Sequence, residues 1–152
     1  MKRLCRRGLA TALLAIAVGA AASACSPAPA QPAPDAGAPA ASGEAALARA
    51  FENEQSGIQV AGEGVVDRVL SDDRDGSRHQ RFVLRLASGQ TVLVTHNIDV
   101  APRIPALEPG DVVAFNGVYE WNAQGGLIHW THHDPDGEHA PGWLRYNGET
   151  FQ

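Results

Sequence analysis

Six histidines are the side chains here with the most versatile chemistry: His79, His96, His129, His132, His133 and His139. Four of them lie between positions 129 and 139, together with Asp134, Asp136 and Glu138. Imidazole and carboxylate are ligands for first-row metals, and zinc or copper suits such a set. His79, His96, His133, Asp134 and His139 therefore form a candidate metal site, with zinc as the expected ion. The same residues would serve a metal-dependent hydrolase in which Asp134 or Glu138 orients a ligand or acts as base. The spacing matches no common zinc signature. Asp134-Pro135-Asp136-Gly137 also reads as a plain turn, with the histidines hydrogen-bonding backbone around it. Asp73 to Gly76 and Asp134 to Gly137 each offer half a calcium loop, but Phe82 stands where the first would need its bidentate glutamate.

A second constellation is a polar strand face. Arg81 and Arg85 alternate with Phe82, Leu84 and Leu86, and Thr95 and Asn97 alternate with Val92, Val94 and Ile98. With Trp121 nearby, these side chains make a candidate surface for a small molecule, a glycan, a peptide or a lone phosphate. The bland alternative is a solvated face. Trp121, Trp130 and Trp143 could stack on a sugar, although large aromatics in a small domain more often pack in its core. The sequence has no Gly-x-Ser-x-Gly, no phosphate loop and no redox cysteine pair.

The elements that must position these residues follow from periodicity. Ala46, Leu47, Ala50 and Phe51 form an apolar stripe, which predicts a helix over roughly Glu44 to Gln55, with Ser42 as its cap and Gly57 after its end. Five strands are expected next, over Ile58–Leu70, His79–Ala87, Gln90–Ile98, Asp111–Trp121 and Leu127–His133. Gly62 and Gly64 suit a bulge or a sharp coil in the first, and Ser88-Gly89 suits a tight hairpin. Asp99 to Gly110 carries three prolines and reads as a long connection with a short helix or none. Asp134 to Gln152 reads as irregular, pinned by Trp143, Leu144, Tyr146 and Phe151. This arrangement points to a mostly β, small five-stranded OB-like barrel with a short N-terminal helix; a β-sandwich is the alternative. In the barrel, His96, His133 and His139 are expected to meet at one rim, with His79 at the same end.

The N-terminus carries a targeting pattern. Lys2, Arg3, Arg6 and Arg7 precede an apolar run from Leu9 to Ala22, and Ala22-Ser23-Ala24-Cys25 follows. This is the layout of a removable signal peptide over 1–24. Ala22-x-Ala24 suits ordinary signal peptidase, whereas small-small-Cys makes Cys25 a lipidation site that would anchor the protein to the membrane of the cell envelope. Arg6-Arg7 also raises twin-arginine export, but the residues that follow fit it poorly. Residues 25–43 are rich in Ala and Pro and read as a tether, leaving 44–152 as one domain. After Cys25 there is no cysteine, hence no disulfide framework.

Formal charge is −5 overall, but the leader holds four of the twelve cations and none of the seventeen anions. From Cys25 onward eight arginines face seventeen carboxylates, a net −9, with no lysine. Such a chain repels phosphate backbones, so nucleic acid is not an expected partner.

Four runs have a specific look: Asp75-Gly76-Ser77-Arg78-His79-Gln80-Arg81-Phe82, Thr95-His96-Asn97-Ile98-Asp99, Gly117-Val118-Tyr119-Glu120-Trp121-Asn122 and Ile128-His129-Trp130-Thr131-His132-His133-Asp134-Pro135. Through them the stretch Ala46 to Gln152 resembles a bacterial family of small exported proteins known as a domain of unknown function, DUF3465. The resemblance implies an OB-like barrel and supplies no activity. The residues themselves point first to a non-enzymatic binding module, periplasmic or anchored in the envelope. A metal-dependent hydrolase and an envelope protein–protein interaction domain are the alternatives.

Overall fold

The computed structural model describes residues 40–134, 137 and 139–152. The expected signal peptide, Cys25 and nearly all of the tether lie outside them, as do Pro135, Asp136 and Glu138. A helix, α1 (Ala40–Glu52), leads into β1 (Ile58–Val69), β2 (His79–Arg85), β3 (Thr91–Asn97), β4 (Val112–Glu120) and β5 (Leu127–His129). A hairpin follows, made of β6 (Trp143–Tyr146) and β7 (Glu149–Phe151).

The strands run β1-β2-β3-β5-β4, and β1 also pairs with β4, which closes a five-stranded barrel. All pairings in the wall are antiparallel except β3 with β5. Closure removes the open edges that would otherwise template aggregation. β1 is long because it serves two partners. Ile58–Val65 pairs with β4, Val65–Val69 pairs with β2, and the register slips around Asp67. The irregularity thus falls at Asp67 rather than at Gly62 or Gly64. Those two glycines solve a packing problem instead. A Cβ on Gly62 would lie 2.8 Å from the ring of Phe115, and one on Gly64 would lie 3.1 Å from Leu84 Cβ.

Alternation sends Phe82, Leu84, Val92, Val94, Val113, Phe115, Tyr119 and Ile128 inward, all at most 1 % exposed. Each end of the barrel has its own closure. α1 packs Leu47 and Ala50 into the core, and Glu44 accepts a hydrogen bond from Ser88 N in the β2–β3 turn. The helix begins at Ala40, four residues before its expected start, so Ser42 lies within it rather than at its N-terminus. At the opposite end, the connection after β3 carries no helix and buries Ala101, Ile104 and Leu107.

Two further expectations need correction. The fifth strand ends at His129, not His133, because Trp130 takes a left-handed φ of 50°. The C-terminal region is not irregular. β6 pairs with Ala114–Asn116 of β4 and β7 pairs with β6, which buries Leu144 and Phe151. β5 and β6 thus divide β4 between them, and Gly117 stands at the division. A Cβ there would lie 2.5 Å from His129 O.

Candidate ligand-binding face

The outward parity of β2 and β3 makes one continuous face. The register pairs His79 with Asn97, Arg81 with Thr95, Val83 with Leu93, and Arg85 with Thr91. β5 extends the face beside β3, with Leu127 opposite Leu93 and His129 facing out. Polar residues predominate, but Val83 is 6 % exposed despite pointing outward. Val83 and Leu93 line a half-open pocket of about 130 Å³, together with Arg68, Leu70, Thr91, Val92, Asn122, Gln124 and Gly126.

The turn between β4 and β5 forms one wall of this pocket and is held firmly. Asn122 Oδ1 accepts from Gln124 N at 2.9 Å and Gly126 N at 3.2 Å. Gly125 O accepts from Gln90 Nε2 at 3.0 Å and Tyr119 Oη at 3.2 Å. Leu93 N donates to Gly126 O at 3.0 Å, tying the turn to β3. Gly125 and Gly126 have φ of 112° and 93°, and a Cβ on Gly126 would overlap the ring of Tyr119. Only glycine suits both demands there.

The arginines expected on this face are there, and each is matched by a carboxylate. Arg81 Nε donates to Ser71 O at 3.0 Å, and its Nη1 lies 4.0 Å from Asp73. Arg85 pairs with Asp67. Thr95 Oγ1 lies 3.4 Å from Ile128 O, and Asn97 Oδ1 accepts from Asp99 N at 3.0 Å. Trp121, just after β4, is half-buried against the core.

The histidines gather at the other end of the same face. His79 opens β2, and its Nδ1 is 2.8 Å from Ser77 O. The indole of Trp130 stacks on His129 at 4.9 Å and on His139 at 4.6 Å, while His132 meets His139 edge-on at 5.0 Å. Trp130 is 40 % exposed. Burial lowers the pKa of His129 below the ordinary value, against the opposing pull of Glu120. His132 Nδ1 and His139 Nδ1 each donate to a backbone carbonyl, of His133 and Ala140, at 2.8 Å. His133 itself is exposed, and Asp134 Oδ2 accepts from His139 N at 2.5 Å.

His96 is the exception within this group. It is fully buried on the inner parity of β3, opposite Gln80. Its Nε2 lies 3.0 Å from Pro102 O, which can only accept, so that nitrogen carries the proton. Its Nδ1 is left as acceptor for the Thr131 hydroxyl at 2.8 Å. Both nitrogens are thus committed to protein partners. Burial pushes its pKa down from 6.5 to about 4, with the charges of His132 and His79 adding to the effect. Gln80 clamps the same connection, donating to Ile104 O and accepting from Ile104 N, both at 3.0 Å. Among the described residues, no three His, Cys, Asp or Glu side chains are grouped to hold a metal ion.

Sequence reasoning missed the pocket, yet a signal for it existed. Phe82-Val83-Leu84 and Val92-Leu93-Val94 break the alternation with apolar residues on the outer parity. The short β2–β3 turn sets Val83 directly across from Leu93.

No curated protein gives a significant match to the chain. The family model described as "Protein of unknown function (DUF3465)" matches residues 34–152. That span is more than three quarters of the sequence, and the chain belongs to this family.

Proposed function

We propose that the chain is an exported binding module of the cell envelope, anchored by a lipid on Cys25, with its ligand on the outer β2–β3–β5 face. The observation that carries this reading is the half-open pocket floored by Val83 and Leu93 and walled by the rigid β4–β5 turn. OB barrels characteristically use strands two and three, with the loop between strands four and five, to hold ligands. A preformed apolar hollow ringed by a few polar groups is the usual form of a small-ligand site. The hollow is smaller than a typical cofactor pocket, so it fits one side chain or ring of a ligand that extends along the strands toward Trp130.

Export and anchoring rest on the basic, apolar and small-small-Cys order of the first 25 residues. Replacing Cys25 with Ser is expected to move the protein from the membrane to the soluble fraction. Equal membrane retention of the two would refute the anchor. For the face, a diverse fragment set is screened by NMR against the purified protein. Amide shifts are expected to cluster on Val83, Leu93 and Gly126. Shifts that cluster on the β1–β4 side instead would refute the assignment.

A further inference from the structure

The pocket has a charge character that the rest of the chain lacks. From Cys25 onward the protein is strongly acidic, yet none of the residues lining the pocket is acidic. The lining supplies one guanidinium, from Arg68, and neutral groups from Thr91, Asn122 and Gln124, above a floor of Leu70, Val83 and Leu93. The oxygen of the Asn122 side chain is consumed by two backbone amides, which turns its NH2 group into the available end.

Arg68 is weakly held by its own neighbours. Its contact with Asp67 is 3.5 Å long, and its side chain is 64 % exposed. Asp67 is at the same time the partner of Arg85. Two guanidinium groups thus share one carboxylate, and Arg68, the more loosely paired of the two, is the cation that lines the pocket. Off the strands, Arg78 pairs with Asp99 at 2.7 Å and Arg103 with Asp72 at 2.6 Å, whereas on β2 Arg81 Nη1 lies 4.0 Å from Asp73.

We infer that this pocket recognises a carboxylate on a short apolar body, with Arg68 and the Asn122 NH2 group binding the carboxylate and Val83 and Leu93 covering the body. The inference rests on the binding-face reading above and names its ligand class. A guanidinium fork matches the planar geometry of a carboxylate. One net charge balances a monoanion. A dianionic phosphate would need more cations than the lining offers. A free short-chain acid and the C-terminus of a peptide present this same chemistry.

The test uses matched probes on the purified protein, followed by NMR amide shifts. Hexanoate represents the free acid, and 1-hexanol and hexylamine are its neutral and cationic counterparts. N-acetyl-leucine and its amide represent a chain terminus. Hexanoate is expected to shift the amides of Thr91, Leu93 and Gly126 and to bind about tenfold more tightly than 1-hexanol, the gain of one charge-assisted contact. Arg68→Gln should erase that preference without unfolding the protein, since Arg68 is exposed, and Arg68→Lys should retain part of it. A preference for N-acetyl-leucine over both its amide and hexanoate would assign the site to chain termini; the reverse would assign it to free acids. Equal shifts from hexanoate and 1-hexanol at these amides would overturn the carboxylate inference and leave the face standing as a binding surface. Absence of shifts there from every probe would overturn the pocket as a carboxylate site, and the fragment screen then decides the wider face independently.

Discussion

His96 should make the stability of this barrel steeply dependent on pH below neutrality. The ring is fully buried, neutral, and bonded at both nitrogens to Thr131 and Pro102. Its folded-state pKa is about 4 against 6.5 for a free imidazole. Between those values the unfolded chain takes up a proton that the folded chain refuses. The folded state is therefore favoured fully above about pH 7 and loses ground as pH falls through 6.5 toward 4. Below about 4 both states are protonated and the loss levels off. The difference between the two pKa values corresponds to about 3 kcal/mol. In urea that is a fall of about 2 M in midpoint, given a typical slope for a small domain. The comparison protein is His96→Gln, which cannot titrate. At pH 7.5 the variant should be less stable by about 1–3 kcal/mol, from imperfect replacement of two buried hydrogen bonds. Between pH 7 and 4 its midpoint should fall much less than that of the wild type. The two proteins differ only at residue 96, so the difference between the curves isolates His96. Parallel curves for the two proteins would refute the reasoning.

Two further outcomes follow from packing and charge. Gly117→Ala would place a methyl group 2.5 Å from His129 O and 2.9 Å from Ile128 Cγ2 and Thr131 Cγ2. The loss should be about 2 kcal/mol in a thermal or urea melt, and an unchanged midpoint would mean that β5 and β6 divide β4 with room to spare. With a net −9 from residue 25 onward, the protein should show no binding to mixed-sequence DNA or RNA at physiological salt; micromolar binding with a steep salt slope would contradict this.

The wall of the barrel was legible because each strand keeps its alternation. Phe82, Leu84, Val92 and Val94 announce an inner face, and the proline-rich stretch after Asn97 does lack a helix, as expected. Gln80 and His96 sit on that same inner parity, yet the sequence reading makes His96 a ligand at the rim and does not single out Gln80. Their buried role could not be read locally, because their partners are backbone atoms of Pro102 and Ile104, within a connection whose path no local pattern sets, and the Thr131 hydroxyl beyond β5. The β6–β7 hairpin escaped for a related reason. Each strand is too short to show a period, and the pair exists because β4 leaves the edge of Ala114–Asn116 open. The end of β5 depends on Trp130 adopting a left-handed backbone. That conformation costs of order 1–3 kcal/mol in isolation, and it depends on tertiary surroundings such as Gly142, whose backbone lies against Trp130 O and Thr131 Cα.

The inward polar pair and the outward face are consequences of one choice. A five-stranded barrel open at the β3 end would expose Phe82, Val94 and Ile128 to water. Closing it with the chain segment from Ala101 to Leu107 places peptide groups in the interior, and each needs a partner. Gln80 and His96 supply those partners and are thereby used up. Any chemistry at this end is left to the side chains outside: His129, Trp130, His132 and His139. The pocket at the opposite end of the face owes nothing to the plug, since its walls are strands and a turn bonded to β3. Substitutions at Gln80 or His96 should therefore alter stability, while substitutions at Arg68 or Leu93 should alter binding. A variant at His96 that left the melt unchanged but weakened ligand would reverse this division.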